Sequence, residues 1–248
     1  MQHSSHHYIL KISCPATSGI VAAVTTFLAQ SGCYISEMAQ FDDEFHERFF
    51  MRAVFRGNSG GELDLAQIEK GFAGVAERFA MQWELHSQAQ PMRVLLMVSK
   101  YDHCLNDLLY RYHKGEMHMQ ITAIVSNHLD LRPMAEREGI RFIYLPVTRD
   151  NKAQQEAELL KIVQDTHTEL VVLARYMQIL SDDLCRHLSG RAINIHHSFL
   201  PGFKGAKPYH QAWDRGVKLI GATAHYVTSD LDEGPIIEQE VQRVDHAY

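Results

Sequence analysis

The sequence predicts an α/β protein with two domains whose sheets differ in type. Two patterns predict this. In residues 1–86 the apolar periodicity gives the order β-α-β-β-α-β, and from Arg93 onward short continuous apolar runs alternate with helical patterns. Continuous apolar strands between helices are typical of a parallel sheet that is buried on both faces. With 46% hydrophobic and 22% charged residues, the chain has an ordinary globular composition and can bury two cores.

The first domain, residues 1–86, begins with a short apolar strand and a turn in which Ser18 is placed to cap a helix. Apolar residues then recur at helical spacing until Ser31 and Gly32 stop the helix. Two strands joined across an acidic turn, a second helix and a last strand follow, at residues 33–41, 48–55, 63–79 and 81–85. This order predicts a ferredoxin-like fold, an antiparallel sheet with both helices on one face.

The second domain is predicted at residues 93–248, after a short polar linker at residues 87–92. It begins with the apolar strand Arg93 to Ser99. Helices and strands then alternate through residues 102–113, 120–126, 131–138, 142–145, 152–165 and 170–174. The repetition predicts a doubly wound, mostly parallel, Rossmann-like sheet, and such sheets bind ligands at the carboxyl ends of their strands.

Charge, hydropathy and cysteine usage argue against several classes of function. A net charge of -6 without a block of like charges argues against nucleic acid or an anionic membrane as a partner. Without an apolar run of membrane-spanning length or a signal-peptide core, the chain is expected to be cytoplasmic. Cys14, Cys33, Cys104 and Cys185 show no CxxC spacing, so we expect reduced thiols. The 16 histidines include no HExxH motif, so we expect neither a catalytic metal nor another cofactor.

A candidate catalytic pair lies in a short apolar run near residue 195. Asn194 and His196 alternate in a predicted strand, so their side chains share one face of the sheet. An amide donor can hold a developing oxyanion while an imidazole manages a proton, which is what hydrolysis or transfer of an acyl group requires. A carboxylate to orient the imidazole follows only in the turn that contains Asp230 and Asp232. The two pieces must therefore meet in space.

The motifs NIHHSFLPGFKG, GATAHYV and LDEGPII occur in this order across the same region. With them the second domain resembles the folate-dependent formyl transferases, which share an Asn-x-His strand, a Ser-Leu-Leu-Pro-type loop and an Asp two residues before a Gly. The resemblance implies that Asn194, His196 and Asp232 are catalytic. It also implies a pteridine pocket lined by Met177, Gln178, Ile179 and Leu180.

The first strand-to-helix turn of the second domain indicates which reaction the resemblance implies. Family members that act on a phosphorylated ribonucleotide acceptor carry a Gly-rich loop there, whereas residues 99–103 contain no glycine. We therefore expect water as the acceptor and hydrolysis of 10-formyltetrahydrofolate to formate and tetrahydrofolate. This reaction would balance the one-carbon folate pool used in purine biosynthesis. Two alternatives remain, a formyl transferase to a small amine and a non-catalytic amino-acid sensor.

Other polar side chains of this region have open interpretations. His197 is expected to be structural, since neighbours on a strand point to opposite faces. His210 is a candidate for the folate side of the pocket, and His225 is a candidate for orienting the catalytic carboxylate. Lys204 and Lys207 are either a solvated loop edge or partners of the anionic glutamate tail of a folate.

The element order of the first domain, together with SGIVAAVTTFLAQSGCYISEMAQFDD, resembles the ACT domain. The resemblance covers roughly residues 5–86 and implies a module that commonly binds amino-acid effectors near its first strand-to-helix turn and that associates with copies of itself. Many such domains carry an acidic residue where this chain has Ala16 and an Asn where it has Tyr34. Both an amino-acid effector site and a purely structural role in a homo-oligomer therefore remain open.

The end of the chain differs from the pattern that the resemblance implies. Formyl transferases usually continue past the strand predicted at residues 236–244 with another helix. This chain stops at Tyr248, so a shortened C-terminal region is expected.

Overall fold

The computed structural model describes residues 6–58, 61–203 and 207–245. The chain forms two compact units, Met1–Pro91 and Met92–Tyr248. Each unit is described by itself below.

The first unit is the predicted ferredoxin-like arrangement. Its elements are β1 (His7–Pro15), α1 (Ile20–Gln30), β2 (Cys33–Asp43), β3 (Arg48–Gly57), α2 (Leu65–Arg78) and β4 (Gln82–Ser87). The four strands pair antiparallel in the order β2-β3-β1-β4. Alternate residues of β1 and β3 pack against the buried residues of α1 and α2, so one sheet face carries the core.

The start of α1 differs from the sequence prediction. Ser18 does not cap the helix. The N-cap is Gly19, which has a φ of 92°, and the helix start has no side-chain cap. The chain enters the helix through a left-handed residue, and glycine adopts that conformation without steric cost. In α2, by contrast, the Asp64 side chain accepts a hydrogen bond from the backbone N–H of Gln67 and caps the helix.

The second unit alternates strands and helices as predicted. Its elements are β5 (Met92–Val98), α3 (His103–His113), β6 (Met119–Ser126), α4 (Arg132–Arg137), β7 (Phe142–Tyr144), α5 (Lys152–Asp165), β8 (Leu170–Leu173), α6 (Asp182–His187), β9 (Ala192–His196), α7 (Pro208–Asp214), β10 (Leu219–Tyr226) and β11 (Ile236–Arg243).

The sheet of this unit has the order β11-β10-β9-β8-β5-β6-β7. Strands β5 to β9 run parallel, and β10 and β11 are antiparallel additions at one edge. One face packs against α5 and α6 and the other against α3 and α4, which makes the fold doubly wound. The strand order reverses between β5 and β8, and this reversal is the place where open α/β sheets bind ligands.

Two further observations bear on the expectations from composition. No helix among the described residues is long and apolar enough to cross a membrane. All four cysteines are free, and burial raises the pKa of each thiol. Their thiolate forms are thereby disfavoured.

Two glycines of α2 offer a test of the packing of the first unit. A Cβ added at Gly74 meets nothing within 4 Å, whereas one added at Gly71 lies 3.0 Å from the Phe27 ring. Gly74→Ala should therefore raise the free energy of unfolding by about 0.5–1 kcal/mol, because alanine favours the helix. Gly71→Ala should raise the free energy of unfolding by less, or lower it, because the added methyl group crowds the Phe27 ring. Urea unfolding of both variants measures the difference, and equal stabilisation would contradict the α1–α2 packing described here.

Candidate active site

The carboxyl ends of β5, β8 and β9 border a cavity of about 840 Å³ in the second unit. This volume is typical of sites for small molecules and cofactors. All seven side chains assigned to the site from the sequence line this cavity: Met177, Gln178, Ile179, Leu180, Asn194, His196 and Asp232.

Asn194 and His196 reach the cavity from β9, as strand alternation predicts. His196 is buried, and its Nε2 lies 3.5 Å from the carbonyl oxygen of Phe203. The loop that carries this carbonyl is tied to β10 through the buried Thr223 hydroxyl, which donates to Ser198 O and accepts from the backbone N–H of Leu200. These hydrogen bonds hold the loop over the imidazole.

Asp232 comes from the turn between β10 and β11. The backbone N–H of Glu233 donates to the carbonyl oxygen of Asp230 and closes the turn, in which Asp232 has a φ of 57°. Aspartate tolerates this left-handed conformation better than most residues. Two residues later, a Cβ on Gly234 would lie 1.7 Å from the carbonyl oxygen of Tyr226, so a side chain there would push the turn off the sheet. Glycine at this position therefore allows the turn to lie close to β10.

The turn brings Asp232 rather than Asp230 to the imidazole. Asp232 Oδ1 lies 3.4 Å from His196 Nδ1, and both side chains are less than a tenth exposed. Asp230, the rival carboxylate, is exposed. A carboxylate beside Nδ1 orients the ring, which leaves Nε2 for proton transfer.

His225 lies between Asn194 and the same carboxylate. Its Nδ1 lies 2.9 Å from the carbonyl oxygen of Tyr226, which can only accept, so this nitrogen carries a hydrogen and donates. In the neutral ring, Nε2 is then an acceptor, and it lies 3.3 Å from Asn194 Nδ2 and 3.8 Å from Asp232 Oδ1. The Asn194 amide is thereby oriented, with one N–H bound to His225 and the other free to face a ligand.

The segment from Met177 to Leu180 follows β8 and forms one wall of the cavity. The backbone N–H of Met177 donates to the hydroxyl of Ser99, which is itself buried and bonded to Asn127. Met177 and Ile179 are more than half exposed, and Leu180 is buried in the sheet core. The exposed apolar side chains suit the face of an aromatic ring.

Two residues of the cavity, His197 and Arg175, were not predicted from the sequence. His197 was expected to point away from it, yet the side chain lines the cavity, because β9 ends at His196 and strand alternation no longer applies beyond it. His197 Nδ1 lies 2.6 Å from a guanidinium nitrogen of Arg175, which the sequence did not single out. The orientation of His197 depends on the residue at which β9 ends, and a sequence predicts such a boundary only to within a few residues.

The segment after β9 carries three basic side chains that the sequence offered as candidates for folate binding. His210 and Lys207 both line the cavity. Lys204 lies outside the described residues. Among the residues that the structure describes, no group of three or more His, Cys, Asp and Glu side chains is placed to hold a metal ion.

Together the fold and the cavity define an enzyme that transfers or hydrolyses an acyl group. An amide such as that of Asn194 can donate to an oxyanion, and a buried imidazole–carboxylate pair such as His196 and Asp232 can transfer protons.

Comparison with known proteins narrows this class. Residues 92–248 match the formyl transferase family. The chain is 52% identical over 241 residues to formyltetrahydrofolate deformylase of Corynebacterium sp. strain P-1, covering 97% of this chain and 84% of that protein. The crystal structure of formyltetrahydrofolate deformylase from Burkholderia mallei superposes with a TM-score of 0.92 at 55% identity, over 98% of this chain and 85% of that one.

A more distant structure matches less of the chain. The phosphoribosylglycinamide formyltransferase of Coxiella burnetii has a TM-score of 0.59 at 29% identity and covers 63% of this chain and 74% of its own. The deformylases, by contrast, match nearly the whole chain. The chain belongs to the formyltetrahydrofolate deformylase family within the formyl transferases.

The electrostatics of His197 give a testable pH dependence. Burial, and then the neighbouring Arg175 guanidinium and His196, lower the pKa of His197 from its ordinary 6.5 to about 4. Between these values the unfolded chain binds the proton more readily than the folded one, so acidification through this window destabilises the fold. His197→Gln removes the ionisable group and keeps an acceptor for Arg175. Between about pH 7 and about pH 4.5, the urea concentration at the midpoint of unfolding should fall less in this variant than in the wild type.

The control is His187→Gln, which removes an exposed imidazole on α6. An equal loss in the wild type and in His197→Gln would show that His197 does not contribute to acid sensitivity.

Proposed function

We propose that the chain hydrolyses 10-formyltetrahydrofolate to formate and tetrahydrofolate, with Asn194, His196 and Asp232 as its catalytic residues. One observation carries the proposal: the buried Asp232 carboxylate lies 3.4 Å from His196 at the edge where β9 presents Asn194. The names of the relatives at 52% and 55% identity support the substrate, because those proteins are formyltetrahydrofolate deformylases.

The first step is attack by water on the formyl carbon. Asp232 and His196 together orient the water and take one of its protons as its oxygen forms a bond to this carbon. Both groups are almost completely shielded from solvent, and in such surroundings charge interactions are stronger than in water.

The second requirement is a site for the negative charge that develops on the formyl oxygen. The N–H of Asn194 that is not bound to His225 supplies one donor, and protonated His196 supplies another. A single such donor contributes about 3 kcal/mol to the transition state in other acyl-transfer sites. His225 acts as a positioning residue, because it holds the amide in the orientation that this role needs.

Collapse of the tetrahedral intermediate completes the reaction. The C=O bond reforms, the bond from carbon to N10 breaks, and N10 takes a proton from the His196–Asp232 unit. The proton taken from water has then been passed to N10, and the formic acid produced loses its own proton to solvent, so that formate and tetrahydrofolate leave. 10-Formyltetrahydrofolate is therefore a substrate and not a cofactor, and the proton transfers proposed here use the side chains of the chain.

The cavity walls support a folate as ligand. Exposed Met177 and Ile179 side chains can cover the face of the pteridine ring, while the backbone of the same segment can bond to its polar edge. Lys207 lines the cavity as well and suits the anionic glutamate tail.

The first unit is assigned regulation or assembly. The described residues that border the cavity all belong to the unit Met92–Tyr248. Its resemblance to ACT domains supports either an amino-acid effector or a contact between copies of the chain in a homo-oligomer.

Substitution of the catalytic residues tests the proposal. With water as the only acceptor, Asn194→Ala should lower the rate of formate release by about 10²-fold or more, because an oxyanion donor is lost. Asp232→Asn should lower the rate at least as far, because the imidazole loses its carboxylate. Formate and tetrahydrofolate are quantified in parallel, and circular dichroism confirms the fold of each variant.

The matched control is Asp230→Asn, which makes the same change two residues away on an exposed side chain. It should lose far less activity than Asp232→Asn. Near-wild-type turnover in folded Asp232→Asn, or an equal loss in the two aspartate variants, would overturn the assignment of the carboxylate.

A further inference from the structure

Arg175 has an unusual conformation next to the proposed catalytic residues. It follows directly after Ala174 at the end of β8 and has a φ of 63°, in the left-handed region that arginine rarely adopts. Its Nε is buried, and none of the described residues offers it a hydrogen-bond acceptor. Both features cost free energy and persist only where the surroundings hold the residue in place. Such residues concentrate at functional sites.

Two neighbours hold the Arg175 side chain. A guanidinium nitrogen lies 2.6 Å from His197 Nδ1, and since arginine can only donate, this imidazole nitrogen accepts. The guanidinium carbon also lies 5.4 Å from the centroid of the Tyr101 ring, within the range of a cation–π contact. Because Nδ1 accepts, the His197 ring is neutral, and the charge of Arg175 is not opposed by a second cation there.

The three side chains come from the ends of three neighbouring strands. Tyr101 follows β5, Arg175 follows β8 and His197 follows β9. All three line the cavity beside the crevice between β5 and β8, where the strand order reverses and where open α/β sheets bind a ligand. The cluster adjoins the proposed catalytic site, since the His197 and His196 rings lie 5.4 Å apart.

The positive charge of Arg175 on the cavity wall discriminates between acceptors. Small amines are mostly ammonium ions at neutral pH, and a half-buried guanidinium repels them. Water carries no charge and needs little space. An amine would also need room beside the formyl group in order to attack it, and Arg175 and Tyr101 line the cavity in which the amine would have to fit.

We propose that Arg175, clamped by His197 and Tyr101, is a specificity-determining residue that closes the β5–β8 crevice to amine acceptors and so reserves the formyl group for water. The inference rests on the proposed hydrolysis. In the reaction that is prevented, an amine nitrogen attacks the formyl carbon and the carbon–N10 bond breaks. The amine loses one proton and N10 gains one, which gives a formamide and tetrahydrofolate.

The experiment measures three products with glycinamide as the probe amine. Wild type, Arg175→Asn, Tyr101→Ala and the exposed control Arg111→Asn each receive saturating 10-formyltetrahydrofolate, with and without glycinamide. Asparagine tolerates a positive φ, so the first variant fits the local backbone, and Tyr101→Ala leaves that backbone unchanged. Formate, tetrahydrofolate and N-formylglycinamide are quantified by mass spectrometry.

In the wild type and in Arg111→Asn, tetrahydrofolate and formate should appear in equal amounts whether or not glycinamide is present. In Arg175→Asn, N-formylglycinamide should form at about ten times or more the background rate measured without enzyme, the scale on which one side chain discriminates between substrates. Tyr101→Ala should also form it above this background, but more slowly than Arg175→Asn.

Three results would overturn the role of Arg175: a wild type that already formylates glycinamide, folded variants that release formate alone, or folded variants that release neither product. The last result would assign Arg175 to the hydrolysis itself. A wild type that releases no formate without glycinamide would instead refute the proposed hydrolysis, so the two failures are distinguishable.

Discussion

The contact between Asp232 and His196 is the interaction on which the rest of the site depends. A carboxylate that is less than a tenth exposed is costly to bury unless a partner compensates it, and here the partner is an imidazole 3.4 Å away. The pair joins elements that are distant in sequence, since His196 ends β9 and Asp232 lies in the turn after β10. The antiparallel addition of β10 to β9 places that turn over the strand end, and Gly234 lets the turn lie against Tyr226.

Around this contact, some cavity residues are proposed to carry out the reaction and others to select the substrate and the acceptor. Asn194, His196 and Asp232 lie together on the side formed by β9 and β10, and His225 bonds to the Asn194 amide. The segment after β8 offers exposed apolar side chains to a flat ring. Arg175 and Tyr101 line the same cavity at the reversal of strand order. In the proposed reaction the formyl group lies near both the His196–Asp232 pair and the Arg175 guanidinium, an arrangement that favours a small neutral acceptor such as water.

Most of the fold could be predicted from the sequence because the hydrophobic period changes clearly between helices and strands. Asn194 and His196 could be assigned to one face because they alternate within a strand, and Asp232 could be chosen over Asp230 only through the spacing to Gly234 that the family shares. Three features could not be predicted. The cap of α1 falls on Gly19 instead of Ser18 because the backbone is left-handed there. His197 lies just past the end of a strand, and Arg175 acquires its role only from partners on neighbouring strands.

The most direct test of the central claim is to move the turn without touching a proposed catalytic side chain. Gly234→Ala adds one methyl group that would lie 1.7 Å from the Tyr226 carbonyl oxygen, so the turn and its carboxylate must shift. If the Asp232–His196 contact drives hydrolysis, formate release by the folded variant should fall by about 10²-fold, the scale that a displacement of about 1 Å produces. Gly74→Ala, in a helix of the other unit, serves as the control. Wild-type rates of formate release from folded Gly234→Ala would contradict the account.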